Sequence, residues 1–288
     1  MWKRAALLAW LALECAAAHS DDRGTAATPA AAPPQAERGA LVPTETRRSA
    51  ELESAFPDDS IVRIGDGDDR TIGVYRQSIG DRALGVVVIV LGASLTAESV
   101  GDSTRLRHAL PRGRWSTLAV ALPDVPNEVL PPRQHDKLVE GAAAAQPAEP
   151  AATSQVAPVN VMPARVQARL DAAVKAAREK GRKVVVLGED AAGVWIVWAQ
   201  NHGLGADALV AINPARGSPT IDGKPPTDAF AALAAPALLL METPHDWSAD
   251  DPLGAHVTLQ RLPPGDPAGV RLERRINGWL KRRFDSRG

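Results

Sequence analysis

The chain has 288 residues, with 33 basic and 34 acidic side chains and no block of like charge. That balance predicts no electrostatic partner such as nucleic acid or an acidic membrane surface, and 4% aromatic content offers no stacking platform for bases. The length fits one large α/β domain or two small ones.

At the N-terminus, Lys3 and Arg4 precede an apolar run, Ala5–Leu13, and Ala16–Ala18 supplies small residues for cleavage. This is the pattern of an export signal over residues 1–18, too short for a spanning helix of about 20 apolar residues. A periplasmic or secreted protein with no transmembrane span after cleavage is therefore expected. The single cysteine, Cys15, falls inside the signal and follows Glu14 rather than a small residue, which argues against lipidation. The mature chain then holds neither a disulfide nor a cysteine nucleophile. Residues 19–50, Ala- and Pro-rich at their start, are read as a disordered or tethering segment. Residues 51–288 are read as one domain. A second Ala/Pro tract within it, residues 131–160, is a low-complexity insertion that lacks the apolar area to offset its ordering entropy.

The elements follow in order. Ile61–Ile64 and Thr71–Gln77 read as strands joined by the Gly65–Asp68 turn, and Gly85–Leu91 as a strand buried on both faces. Arg105–Leu110 is predicted helical and Ser116–Leu122 a strand stopped at Pro123. Ala164–Lys180 places Val166, Leu170, Val174 and Ala177 on one helical face, with Arg165, Arg169, Lys175 and Arg178 opposite. Lys183–Leu187 is a strand, Ala191–Asn201 a helix, and Ala208–Ile212 a strand. A helix over Thr227–Ala234 precedes strands at Ala237–Met241 and His256–Leu262. In the last helix, Asp266 can cap and Pro267 suits the first turn. Leu272, Ile276, Trp279 and Leu280 make its apolar stripe, and Lys281–Arg283 complement its dipole. The alternation predicts an α/β fold, with a mostly parallel central sheet of about eight strands and helices on both faces. Loops at the strand carboxyl ends then form the site.

Val184–Gly193 carries the strongest motif. An aliphatic strand runs through Gly188 and Asp190 to Ala192 and straight into an apolar helix, the layout of the G-x-S-x-G nucleophile elbow with Asp190 at the serine position. The chain thereby resembles the α/β-hydrolase superfamily from about Ile61 to Phe284. Val90–Gly92, Leu118–Pro126, Leu209–Pro214 and Arg274–Leu280 narrow the resemblance to a family of secreted bacterial proteins, a domain of unknown function with an α/β-hydrolase-like fold. The resemblance implies fold and export and brings no substrate. Divergent elbows are in keeping with that family.

Asp190 has two readings. It is a nucleophile, as in dehalogenases and epoxide hydrolases of this fold, or it caps the helix that starts at Ala191. The family places the catalytic histidine in the loop 263–268, which reads Pro-Pro-Gly-Asp-Pro-Ala, and no histidine follows His256. If the chain is active, His245 is the relocated base and Glu242 or Asp246 the acid, with oxyanion donors from the backbone of Gly92, Ala93 and Ala191. Gly188 and Ala192 are the small residues that the tight turn requires. A glycosidase-like pair of Asp190 and Glu242 has only composition in its favour. No spacing of cysteine or histidine marks a metal site, and no cofactor is expected. With serine and histidine both missing, the expected function is a non-catalytic binding or envelope-associated module, a pseudoenzyme whose partner is a small molecule or an envelope protein.

Overall fold

The computed structural model describes residues 44–67, 70–80, 82–92, 102–124, 161–214, 226–241, 253–262 and 270–285. Among these, the chain forms β1 (Ile61–Ile64), β2 (Thr71–Arg76), β3 (Gly85–Leu91), β4 (Trp115–Ala121), β5 (Val184–Glu189), β6 (Ala208–Ile212), β7 (Ala237–Met241) and β8 (Val257–Arg261). The helices are α1 (Thr44–Ala55), α2 (Asp102–Ala109), α3 (Val161–Lys180), α4 (Ala191–Asn201), α5 (Pro226–Ala231) and α6 (Val270–Phe284). The residues between Asp124 and Val161, which include the whole of the predicted insertion, lie outside the described residues, as do the predicted signal and the Asp266 cap.

One sheet runs in the order β1-β2-β4-β3-β5-β6-β7-β8. The β1–β2 and β2–β4 pairs are antiparallel, and every pair from β4 through β8 is parallel. The mostly parallel sheet expected from the α/β rhythm is present.

Alternation along the strands builds two cores. On one face Val86, Val88, Val90, Val184, Val186, Leu209 and Leu239 pack with α3, α4 and α5 through Val166, Leu170, Ile196 and Phe230. On the other, Val87, Ile89, Val185, Leu187, Val210 and Leu240 pack with α1, α2 and α6 through Leu52, Leu106, Ile276 and Leu280. A strand covered on both faces has no polar side to show, which explains the unbroken aliphatic runs. Because β3–β8 are parallel, their carboxyl ends share one edge, where Gly92, Asp124, Asp190, Asn213 and Leu262 follow or cap the strands.

Two sequence expectations are corrected. Residues 44–50, assigned to the disordered segment, belong to α1, which buries Arg48 and Leu52. Arg169, expected on the solvent face of α3, is 1% exposed. It lies three residues after Val166 and four before Ala173, both fully buried, so helical geometry turns it inward.

Candidate functional site

The turn after β5 has the geometry of a nucleophile elbow. Gly188 pairs with Val90 on one side and Ala211 on the other. Any Cβ there would stand 2.6 Å from the carbonyl carbon of Ala192 and 2.7 Å from its oxygen. Gly193 is pressed from the far side, its own Cβ position lying 3.1 Å from Pro214 Cβ and 3.2 Å from the Gly188 carbonyl oxygen. Strand and helix therefore meet backbone to backbone, and Ala192 is small enough to stay buried there.

Asp190, at the tip, has φ 49° and ψ −122°. This lies outside the left-handed helical basin as well as the ordinary β and α regions, a conformation costing of order 1–3 kcal/mol for a residue with a Cβ. The surroundings enforce it: the Asp190 N–H donates to Ile212 O at 2.9 Å, and Asp190 O accepts from the Gly193 N–H at 3.1 Å. The side chain is exposed. Asp190 holds the N-cap position of α4, but its side chain makes no capping hydrogen bond. The expectation of a side-chain cap is thus corrected, because the positive φ that swings the turn around also carries the carboxylate away from the first-turn amides. The strain has a direct test. Asp190→Gly should be more stable than Asp190→Ala by about 1–2 kcal/mol in denaturant unfolding, the reverse of the usual preference for alanine. Equal midpoints would remove the strain.

Other groups at this edge are committed elsewhere. Glu189, half-buried, accepts a hydrogen bond from Ser103 Oγ of α2 at 3.1 Å, which ties α2 to the end of β5. Asn213 is buried with φ 47°, a left-handed turn that asparagine tolerates, and its N–H donates to Leu240 O at 2.9 Å. Ser103 was not picked out from sequence, and Asn213 only as part of the Asn-Pro stop to β6, with no role at the site. The Asn-Pro pair after an aliphatic strand was the available signal for the second, and nothing local marked the first.

Of the residues expected to serve the elbow, Asp190, Gly188, Ala191, Ala192 and Gly92 are brought together at the carboxyl edge: Ala191 opens α4 and Gly92 follows β3, the strand beside β5. His245, Glu242, Asp246 and Ala93 lie outside the described residues, as does the loop 263–268. The described histidines are all elsewhere. His256 precedes β8, at its amino end. A five-residue strand rising ~3.3 Å per residue puts it roughly 16 Å from the edge that carries the elbow. His202 ends α4, stacked on Trp198 at 4.2 Å between centroids, with its Nδ1 2.7 Å from Trp198 O. That is a helix of eleven residues away from Ala191. His108, near the end of α2, contacts the side chains of Arg76 and Arg107. No cluster of three or more His, Cys, Asp or Glu that could hold a metal is found among the described residues, and no helix among them is long and apolar enough to cross a membrane.

At the same edge, two strands from β5 in the sheet, a network of charges closes the end of β4. Arg48 donates to Asp124 at 3.0 Å, and Arg169 reaches Glu45 at 3.3 Å and Ala121 O at 3.3 Å. Arg165 stands 3.6 Å from Glu45, while Glu45 accepts the Asp124 N–H at 2.8 Å. Three guanidinium groups and two carboxylates thus tie α1 and α3 to the residues that follow β4.

The strand order, the parallel carboxyl edge and the strained turn after β5 define an α/β-hydrolase-like protein. Solved structures with this fold include Est1E from Butyrivibrio proteoclasticus, at a TM-score of 0.55 and 11% identity over 79% of this chain and 100% of that one. A dienelactone hydrolase from Anabaena variabilis matches at TM-score 0.52 and 16% identity, covering 77% and 96%. A proline iminopeptidase from Mycobacterium smegmatis matches at 0.51 and 11%, covering 79% and 98%. At these identities the likeness is one of fold. A sequence comparison with curated proteins gave no match. The family model for DUF3530, a protein family of unknown function, matches residues 4–238, and the chain belongs to that family.

Proposed function

We propose that this chain is an exported α/β-hydrolase-fold protein that does not perform triad catalysis and uses the elbow edge of its sheet to bind a small molecule or an envelope protein. Export rests on the Lys3–Ala18 pattern. The observation that carries the rest is the placement of His256 and His202 away from Asp190, in a chain with no histidine after His256. A general base works at hydrogen-bond distance, about 2.6–3.2 Å, and neither the amino end of β8 nor the far end of α4 meets that requirement.

One observation favours a second reading. A strained, exposed Asp190 whose side chain does not cap its helix is what a carboxylate nucleophile needs, with His245 as base and Glu242 or Asp246 as acid. Turnover of a panel of esters, haloalkanes and epoxides by the wild type and by Asp190→Asn separates the two. The binding reading predicts no turnover above buffer by either protein. Turnover by the wild type that Asp190→Asn abolishes would replace that reading with the second.

A further inference from the structure

The opposite end of the molecule holds a feature that the elbow does not use. Charge is balanced over the whole chain, yet basic residues outnumber acidic ones among the described residues at the amino edge of the parallel sheet. A short 3-10 turn, Leu110–Gly113, sits there between two other segments. On one side is the loop after β2, where the Ile79 N–H donates to Pro111 O at 2.8 Å. On the other is α6, whose Asn277 fills the space beside Gly113. Arg114 joins the two sides, since its Nε donates to Arg82 O at 3.0 Å and its guanidinium lies 3.8 Å from Asp285 at the end of α6. Lys183, at the foot of β5, lies over the Phe284 ring at 5.9 Å.

Arg82, Arg112, Lys183, Lys281 and Arg283 are exposed at this end, with the Arg114 side chain 42% exposed. Two of the described acids beside it have basic partners, Asp285 with Arg114 and Asp207 with Arg178 and Lys183, while Asp58, Asp59 and Glu179 are exposed at the same edge and are outnumbered by its bases. An apolar side chain stands in the same place. Ile79, 59% exposed, is the one large hydrophobic residue left exposed among the described residues. Its support is fixed, because the Ser78 N–H donates to Ser116 Oγ at 3.0 Å and Gly80 turns the chain with φ 106°.

We infer that this face docks on an anionic phospholipid surface, with the basic side chains against the headgroups and Ile79 entering the acyl boundary. A lone surface isoleucine would call for no explanation, but one held outward amid bases combines the two attractions that interfacial binding uses. A single-stranded nucleic acid would call for aromatic groups to stack on, and the aromatics at this end, Trp115 and Phe284, are packed edge-on against each other at 5.4 Å. The proposal gives the envelope association a surface. It rests on that reading only for where the lipid is met, and the elbow plays no part in it.

The test is co-sedimentation of the purified full chain with vesicles of phosphatidylglycerol mixed with phosphatidylcholine, beside vesicles of phosphatidylcholine alone. Binding should require phosphatidylglycerol and fall as salt rises. The triple variant Arg112→Glu, Lys281→Glu, Arg283→Glu should lose at least about tenfold in affinity, and Ile79→Ser about threefold. All four positions are exposed, so thermal unfolding of these variants should match the wild type. If a charge reversal lowers it, Lys281→Gln with Arg283→Gln takes its place, with a smaller loss expected. Equal binding to both vesicles, no binding by the wild type, or capture of duplex DNA in preference to vesicles would each overturn the proposal. Turnover at the elbow would leave it standing, which keeps the two tests separate.

Discussion

Gly188→Ala should lower the unfolding free energy by about 3 kcal/mol, seen as a fall of about 6–12 °C in the thermal midpoint of a domain this size. The three atoms that the new methyl would meet, Ala192 C at 2.6 Å, Ala192 O at 2.7 Å and Gly193 N at 2.8 Å, all belong to backbone. No side chain can rotate away. Strand β5 cannot recede either, because it is hydrogen-bonded to β3 and β6. Gly203 supplies the control. Its φ is 94° and nothing lies within 4 Å of its Cβ position, so Gly203→Ala pays a conformational penalty alone, about 1–2 kcal/mol. If denaturant unfolding gave equal losses at the two sites, the close approach of strand to helix at the elbow would be disproved.

The second large effect belongs to the charge network at the end of β4. Arg169→Met is expected to cost about 3–4 kcal/mol, the range for breaking a buried pair. The Arg169 side chain is 1% exposed and that of Glu45 16%, so neither the carboxylate nor the Ala121 carbonyl recovers full hydration when the guanidinium goes. Glu45→Gln combined with Arg169→Met should win back only part of the loss, since the carboxylate is then replaced by a neutral group but Arg165, 3.6 Å from Glu45, loses its partner charge. Trypsin should also cut more readily at Arg47 and Arg48 in the single variant, because α1 buries little apolar surface of its own. A cost under about 1 kcal/mol would place this pair with ordinary surface ion pairs.

The network also shows where sequence reading stops. Aliphatic β3, β5, β6 and β7 were legible because burial on both faces imposes a local signature, and their bounds agree with expectation to within two residues. Helix α1 was not legible. Its sequence, TETRRSAELESA, has a single buried apolar residue, Leu52. Its anchors are ion pairs to residues 76 and 124 positions away, which no local period encodes. Arg169 was misplaced for a related reason: at the border of the α3 apolar stripe, a cation faces solvent or core according to whether a distant acid meets it. At the elbow, spacing alone located Gly188, Asp190 and Ala192. Only coordinates could show that Asp190 is strained and does not cap. The missing histidine was plain from the letters, and the parallel strands supply the distance that removes His256 from the site.

Retention of the elbow without triad chemistry is the central claim, and the covalent state of Asp190 tests it most directly. Attack by its carboxylate on a haloalkane would form an ester and release halide. In the absence of a base to activate water, that ester would persist and add the alkyl mass to the chain. The measurement is intact mass under denaturing conditions after incubation with haloalkanes and epoxides, beside Asp190→Asn. The account predicts an unchanged mass for both proteins. An adduct on the wild type, mapped to Asp190 and missing from the variant, would contradict it.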